Sequence, residues 1–192
     1  MNPKSTYLAH FVALLVALSA PIAAAAQSSP PDAGAGLWWE VSAGAGGARL
    51  TCDLCDPSRQ IGPVLGAAVG AYASPRLRMG VEGRAWSNED GDVRESVYEA
   101  GLTTQLHPRR GSGLHLVGGF GWSGYRAERF AYDAVRLTLG VGWDLPLIGP
   151  WLVGNRLAVD GSSFAALQND DVTVAPSVGL SVLRFTVFLR NR

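Results

Sequence analysis

Lysine and histidine are almost absent from this 192-residue chain, which has a single lysine, Lys4, and three histidines. Charged residues of all kinds make up only 17% of the sequence, against about 25% in an average globular domain. The 16 basic and 16 acidic residues cancel, whereas a nucleic-acid-binding protein normally carries a basic surplus. We therefore expect no nucleic-acid partner.

A long apolar run is missing beyond residue 26. The longest stretch there without charged or strongly polar residues is 61–73, which contains four glycine or proline breaks. It is far shorter than the about 20 residues of a membrane-spanning helix.

The first 26 residues differ, because Lys4 precedes a ten-residue apolar core at 11–20 and Ala24–Ala26 form an A-x-A cleavage site. This is the layout of a secretory signal peptide at 1–26, with an uncleaved membrane anchor as the alternative. Residues 27–36, which are small and polar, are predicted to form a flexible leader.

The rest of the chain alternates between apolar residues and small or polar ones. In the segment 135–143 the apolar residues occupy every second position, namely Val135, Leu137, Leu139, Val141 and Trp143. A strand places such residues on one face, whereas a helix would scatter them. Copies of this pattern predict eight strands, at 37–47, 62–73, 77–87, 96–106, 114–124, 134–144, 151–160 and 172–185. The predicted all-β domain covers 37–188, and a polar tail follows at 189–192.

The connections between the predicted strands alternate in length. Those at 73–76, 107–113 and 145–150 are short, and each contains a proline. Those at 48–61, 88–95, 125–133 and 161–171 are longer and more polar. Short turns at one end and longer loops at the other are typical of outer-membrane barrels. We therefore predict an eight-stranded antiparallel up-and-down transmembrane β-barrel, with short periplasmic turns and longer outer loops.

The second face of the predicted strands consists mainly of glycine, serine, alanine and threonine, with eight isolated charges. Four are acidic and four basic: Glu40, Arg78, Glu82, Arg84, Glu99, Arg136, Asp144 and Arg156. An arginine that faced lipid near the midplane would cost about 2–4 kcal/mol, whereas buried charges are tolerated when they are paired. We therefore expect the apolar face to meet lipid, and the eight charges to form an ion-pair network in the lumen.

Aromatic residues concentrate near the ends of the predicted strands. Those predicted to lie at the two membrane interfaces are Trp39, Tyr72, Tyr98, Trp122, Trp143, Trp151 and Phe185. Tryptophan and tyrosine favour the membrane–water interface, although aromatics capping a soluble barrel are the alternative. On this register Trp38 and Trp86 point inward and close the rims.

These features resemble a known group of membrane proteins. The signal peptide, the eight alternating strands, the aromatic girdles and the run PSVGLSVLRFTVF in the last strand are similar to those of the small eight-stranded outer-membrane barrels of Gram-negative-type bacteria, the OmpA-barrel, OmpX and OmpW-like group. The resemblance covers essentially all of 37–188. It implies an outer-membrane location, contact with membrane lipid and lipopolysaccharide, and insertion by the barrel assembly machinery. We expect a monomer.

Cys52 and Cys55 form a C-x-x-C pair in the first long predicted loop. A structural zinc site needs four ligands, and the sequence offers neither a second cysteine pair nor a histidine nearby. A thioredoxin-like role would need a βαβ context that the sequence lacks. In an oxidising envelope we favour a disulfide over free thiols. We expect no metal site and no cofactor.

No catalytic site is predicted. After the signal peptide only His107 and His115 remain, both at one periplasmic turn, whereas the loop serines Ser162 and Ser163 lie about 30 Å away across the membrane. No nucleophile can therefore be paired with a base at hydrogen-bond distance, and we expect no catalytic residues and no enzyme.

The predicted barrel is narrow, because eight strands enclose an interior just wide enough for side chains. We expect a structural or surface-interaction protein of the cell envelope, whose outer loops form the contact surface. Two alternatives stay open. One is a narrow channel for small or hydrophobic solutes, and the other is a secreted soluble ligand-binding barrel of lipocalin type, with the two faces reversed.

Overall fold

The computed structural model describes residues 36–191, apart from residues 54, 56, 57, 92, 110 and 171 and the side chain of Asp90. The predicted signal peptide 1–26, leader residues 27–35 and residue 192 lie outside the described residues. The strands are β1 (Leu37–Thr51), β2 (Gln60–Ser74), β3 (Leu77–Asp90), β4 (Val93–Leu106), β5 (Leu114–Ala127), β6 (Phe130–Pro146), β7 (Trp151–Ser162), β8 (Ala165–Asn169) and β9 (Val172–Asn191). Within these ranges no helix is long and apolar enough to cross a membrane.

Eight of these strands close into an antiparallel up-and-down barrel. Each strand from β1 to β6 pairs with the next, β7 pairs with β9, and β9 pairs back with β1 from Glu40–Arg190 to Thr51–Gly179. Closure removes the free edges through which an open sheet would aggregate. The predicted eight-stranded antiparallel up-and-down barrel is therefore confirmed.

The two ends of the barrel differ. Residues Leu37 and Asn191 lie at one end, together with the connections 75–76, 107–113 and 147–150, and we call this the terminal end. The opposite end, called the distal end, carries the connections 52–59, 91–92, 128–129 and 163–164 and the short strand β8.

The alternation of β6 shows why these residues form a barrel with its apolar side outward. Leu137 and Leu139 are 61% and 69% exposed, whereas Arg136 and Thr138 between them are each 1% exposed. Because successive side chains of a strand point to opposite faces, one face of β6 turns to the interior and the other to the surroundings. The same two-residue period runs through the other barrel strands.

Two ranges predicted as outer loops are largely strand. Residues 88–95 and 125–133 extend the hairpins β3–β4 and β5–β6, and only two residues connect the strands of each pair. Gly91 and Glu128 have positive φ values of 63° and 46°, as tight hairpin turns require. Polar residues such as Asn88 and Glu89 have low strand propensity, but cross-strand pairing at the water-exposed end overrides that preference.

The end of the chain also differs from the prediction. The loop 161–171 contains the short strand β8, which pairs with β9 and, through two residues, with β6. The last strand does not end at 185 but continues to Asn191, so residues 189–191 of the predicted polar tail are part of the barrel. Arg190 is fully buried, and its partners below explain why a polar segment can complete the last strand.

Candidate functional site: a charged interior inside an apolar belt

A first group of ion pairs fills the interior at the terminal end. Its charged members are Glu40, Arg78, Asp144, Arg156 and Arg190, here called the terminal layer. The guanidinium of Arg156 donates to both carboxylate oxygens of Glu40, at 2.8 and 2.9 Å. Arg190 donates to Glu40 and, at 3.0 Å, to Asp144, whose second arginine partner is Arg78 at 2.8 Å. Aromatic rings pack against these cations, since the guanidinium carbon of Arg190 lies 4.7 Å from the centre of the Phe188 ring.

A second group lies further from the terminal end. Its members are Glu82, Arg84, Glu99, Arg136, Asp160 and Arg184, here called the central layer. Arg136 is 1% exposed and contacts Glu82 at 3.1 Å and Glu99 at 3.2 Å. Arg84 contacts the same two carboxylates, at 2.8 and 3.1 Å, and Asp160 pairs with Arg184. Three carboxylates and three guanidinium groups therefore neutralise one another away from water, as buried charges require.

The eight charges predicted for the lumen all lie in the interior, and each has at least one ion-pair partner in the two layers. Sequence reasoning missed Asp160, Arg184 and Arg190. The alternation could have identified the first two, because residues an even number apart on a strand share a face. Asp160 follows the inward Arg156 by four residues, and Arg184 comes directly before the outward Phe185. Arg190 was missed because the last strand was ended too early.

Two histidines adjoin the terminal layer. His107 Nε2 and His115 Nδ1 lie 3.4 and 3.3 Å from the carboxylate of Asp144, and three ligand atoms of these residues lie within 4.8 Å of one another. The carboxylate also accepts from Arg78 and Arg190. A divalent cation at this place would meet two guanidinium groups at close range, so the charges oppose a metal site. The expectation that the protein holds no metal stays a prediction.

An apolar cluster fills much of the distal half of the interior, and of its members only Trp86 was predicted to point inward. Its buried members are Ala48, Val64, Trp86, Val97, Tyr125, Ala127, Tyr132, Ala134, Leu167, Val178, Leu180 and Val182. We call this cluster the distal plug. Trp86 Nε1 donates to the carbonyl of Gly46 at 2.8 Å, and the Tyr125 hydroxyl donates to Glu95 at 2.9 Å. The rings therefore fill the barrel while their polar atoms stay satisfied.

Five of the predicted interfacial aromatics face outward near the ends of the belt: Trp39, Tyr98, Trp122, Trp143 and Trp151. Trp39 and Trp151 contact each other edge to face, with ring centres 5.2 Å apart. Two predictions were wrong in position. Tyr72 faces the interior, because it pairs across the strands with Arg78, whose guanidinium lies over its ring. Phe185 faces outward but lies opposite Leu157, six residues before the end of β9.

The outer surface between these aromatics is apolar. Large aliphatic side chains at least 40% exposed occur on most strands of the barrel, among them Leu65, Val81, Leu102, Leu116, Leu139, Leu157 and Leu183. Soluble proteins rarely expose an apolar patch larger than a few hundred Å². A continuous belt around a barrel whose charges lie inside is therefore a lipid-facing surface.

Cys52 and Cys55 form a disulfide in the connection between β1 and β2. The bridge lies at the distal end, next to the plug, where both cysteines pack against its apolar residues. The side chain of Arg59 from the same connection donates to the carbonyls of Gly47 and Ser181. This connection is therefore attached to the barrel rim at both of its ends.

Comparison with known proteins finds similarity in the fold alone. No protein-family profile matches the chain, and no curated protein matches it. Among solved structures, Neisserial surface protein A superposes with a TM-score of 0.54 at 15% identity, covering 81% of this chain and 97% of that one. Ail, the attachment invasion locus protein of Yersinia pestis, superposes with a TM-score of 0.50 at 13% identity, covering 80% and 97%.

The fold is that of the small outer-membrane β-barrels. The group that the sequence resembles is thereby confirmed at the level of the fold. With the apolar belt outward and the ion pairs inward, the barrel has the two-sided pattern of a membrane-spanning β-barrel, whose outer face contacts lipid. The soluble lipocalin-type alternative, which needs the opposite orientation of the two faces, does not fit the structure.

Proposed function

We propose that this protein is a closed, non-enzymatic outer-membrane barrel whose distal hairpins form a contact surface outside the cell. The observation that supports it is the filled interior. The terminal and central layers occupy the lumen with charged side chains, and the distal plug closes it with aromatic and aliphatic ones. Side chains of this size leave little room for a solute in an eight-stranded barrel.

A closed barrel predicts the absence of regular conductance. We expect the mature protein, inserted into a planar lipid bilayer, to show no uniform current steps at moderate voltage, while a porin measured in the same way shows them. The measurement separates this proposal from the narrow-channel alternative. Uniform single-channel steps that persist after repeated purification would contradict a closed lumen.

The surface that remains for interaction lies at the distal end. The hairpins β3–β4 and β5–β6 project there, and Phe164 and Val172 next to β8 are 70% and 65% exposed. Arg126 lies on the outward face of β5, four residues beyond Trp122, and is held by both carboxylate oxygens of Asp133 at 3.0 Å. A guanidinium beyond the distal aromatic residues suits the phosphates of lipopolysaccharide, and we propose lipopolysaccharide as a partner. We also propose that the protein is a monomer and that the barrel assembly machinery inserts it.

The proposed orientation predicts which residues can be labelled on intact cells. Arg129 lies in the distal turn between β5 and β6 with its side chain 76% exposed, and Arg76 lies in a turn at the terminal end. We expect the substituted cysteine of Arg129→Cys to react with a membrane-impermeant maleimide on intact cells. That of Arg76→Cys should react only after the outer membrane is permeabilised. The reverse pattern of labelling would show that the distal end faces the periplasm.

A further inference from the structure

The terminal layer carries an unbalanced charge. Its two carboxylates, Glu40 and Asp144, face three guanidinium groups, those of Arg78, Arg156 and Arg190. With both neighbouring histidines neutral, the layer has a formal charge of +1, whereas the central layer is neutral. Protonation of a histidine would only increase the excess. An uncompensated buried charge is costly, so this layer attracts a negative charge.

Unpartnered hydrogen-bond donors lie on the wall beside this layer. Trp38, Arg78, Thr103 and Gln105 line one part of the interior, here called the Trp38 pocket, and they are 0%, 9%, 1% and 1% exposed. The buried atoms Trp38 Nε1, Arg78 Nε, Thr103 Oγ1 and Gln105 Nε2 form no hydrogen bond with any described residue. Buried polar atoms in folded proteins almost always have a partner. Unpartnered atoms occur elsewhere in the interior too, Ser123 Oγ among them, but these four donors adjoin the layer that carries the positive excess, and this combination suits a negatively charged ligand.

The strand register brings these four side chains together. Arg78 and Gln105 are direct cross-strand partners on the inner face of β3 and β4, and Gly80 pairs in the same way with Thr103. Trp38 on β1 reaches this place across Gly70 and Gly80, which have no side chains to block it. A Cβ atom on Gly80 would lie 2.8 Å from Cζ2 of the Trp38 ring. Since Cζ2 is separated from Nε1 by a single ring atom, the indole N–H lies close to the wall formed by Arg78, Thr103 and Gln105.

We propose that the Trp38 pocket binds a small monovalent anion of the halide class, with chloride as the physiological ligand. The excess positive charge favours an anion over water. The free groups are mainly donors, namely an indole N–H, a guanidinium N–H, an amide NH₂ and a hydroxyl, beside one acceptor, the Gln105 amide oxygen. The ion would enter from the terminal end, where the side chain of Arg78 keeps 11% of its surface exposed. Chloride would neutralise the terminal layer and so stabilise the ends of β1, β3, β4 and β9. The proposal does not depend on the surface role described above.

Chloride-dependent stability tests the site. The mature barrel in detergent micelles is heated in chloride and in gluconate at equal ionic strength, because gluconate has the same charge as chloride but is far larger. A ligand that binds only the folded state raises the unfolding temperature with its concentration. We expect the midpoint to rise with chloride and with bromide and to saturate, while gluconate has no such effect. Equal midpoints in chloride and gluconate would overturn the proposal and leave the pocket to water.

Two variants and a control locate the effect. Gln105→Glu places a fixed negative charge in the pocket, so we expect the chloride response to disappear, with a midpoint in gluconate at or above that of the unmodified barrel. Trp38→Phe keeps an aromatic ring but removes the indole N–H, and should weaken chloride binding by about three- to tenfold. It carries the test if Gln105→Glu does not fold. Ser123→Ala removes a buried, unpartnered hydroxyl opposite Glu99 of the neutral central layer and should keep the full response. An unchanged chloride response in Trp38→Phe, or a lost response in Ser123→Ala, would contradict the assignment.

Discussion

Replacing Asp144 by alanine is expected to lower the free energy of unfolding by about 3–5 kcal/mol, the usual cost of removing one partner of a buried ion pair. Asp144 is 5% exposed and is the only ion-pair partner of Arg78 among the described residues. Its loss leaves that guanidinium uncompensated, and it takes one of two carboxylates from Arg190. The change adds to the existing positive excess of the terminal layer, whose remaining carboxylate, Glu40, already pairs with Arg156 and Arg190.

The measurement is urea unfolding of the barrel in lipid vesicles, followed by tryptophan fluorescence and by the gel shift between folded and heat-unfolded protein. Arg129→Ala serves as the control, because its pair with Asp170 is 3.6 Å long and both side chains are mostly exposed; we expect less than about 0.5 kcal/mol. Glu82→Ala should cost less than Asp144→Ala, since Arg84 and Arg136 retain Glu99. Similar small losses for Asp144→Ala and Arg129→Ala would mean that the terminal layer is open to water.

Introducing arginine at Leu139 is expected to destabilise the membrane-inserted barrel by about 2–4 kcal/mol. Leu139 is 69% exposed at the middle of β6, between neighbours on the same face that are also exposed. In the membrane this position faces acyl chains, where a guanidinium loses its hydration. We expect lower yields of folded barrel in vesicles and a lower urea midpoint.

Phe164 provides a matched control, since it is 70% exposed but lies in the connection between β7 and β8 at the distal end. We expect Phe164→Arg to change the stability by less than about 0.5 kcal/mol, because the new charge remains in water. The two positions have nearly equal exposure, so a difference in burial cannot explain a difference in stability between the two variants. Equal effects of both substitutions would show that the apolar belt is not covered by lipid.

The barrel tolerates its many charged side chains because they pair with one another in the lumen. Eleven charged side chains lie in the two layers, yet the outer surface of the belt is aliphatic. Several guanidinium groups are held by carboxylates from strands that are distant in the chain, such as Arg156 of β7 by Glu40 of β1. Pairs of this kind are internal cross-links that form only when the barrel closes.

The sequence by itself determines which side chains of a strand share a face, because apolar and polar residues alternate with a period of two. Alternation along β6 assigned Leu139 to one face and Arg136 to the other, and the cost of arginine in lipid decided which face is inside. These are properties of single strands, so they can be read locally. The same reading could have placed Asp160 and Arg184 inward, and it should have placed Tyr72 there.

Tertiary structure alone decided how residues of different strands meet. Closure between β9 and β1 brings Arg190 against Glu40 and turns an apparent polar tail into part of the wall. It also gathers Trp86 and Tyr132 from separate hairpins into the distal plug, and it sets the register that leaves the donors of the Trp38 pocket unpartnered. The physical reason is that side-chain direction depends on the local backbone, whereas pairing, charge balance and packing depend on which strands become neighbours when the sheet closes.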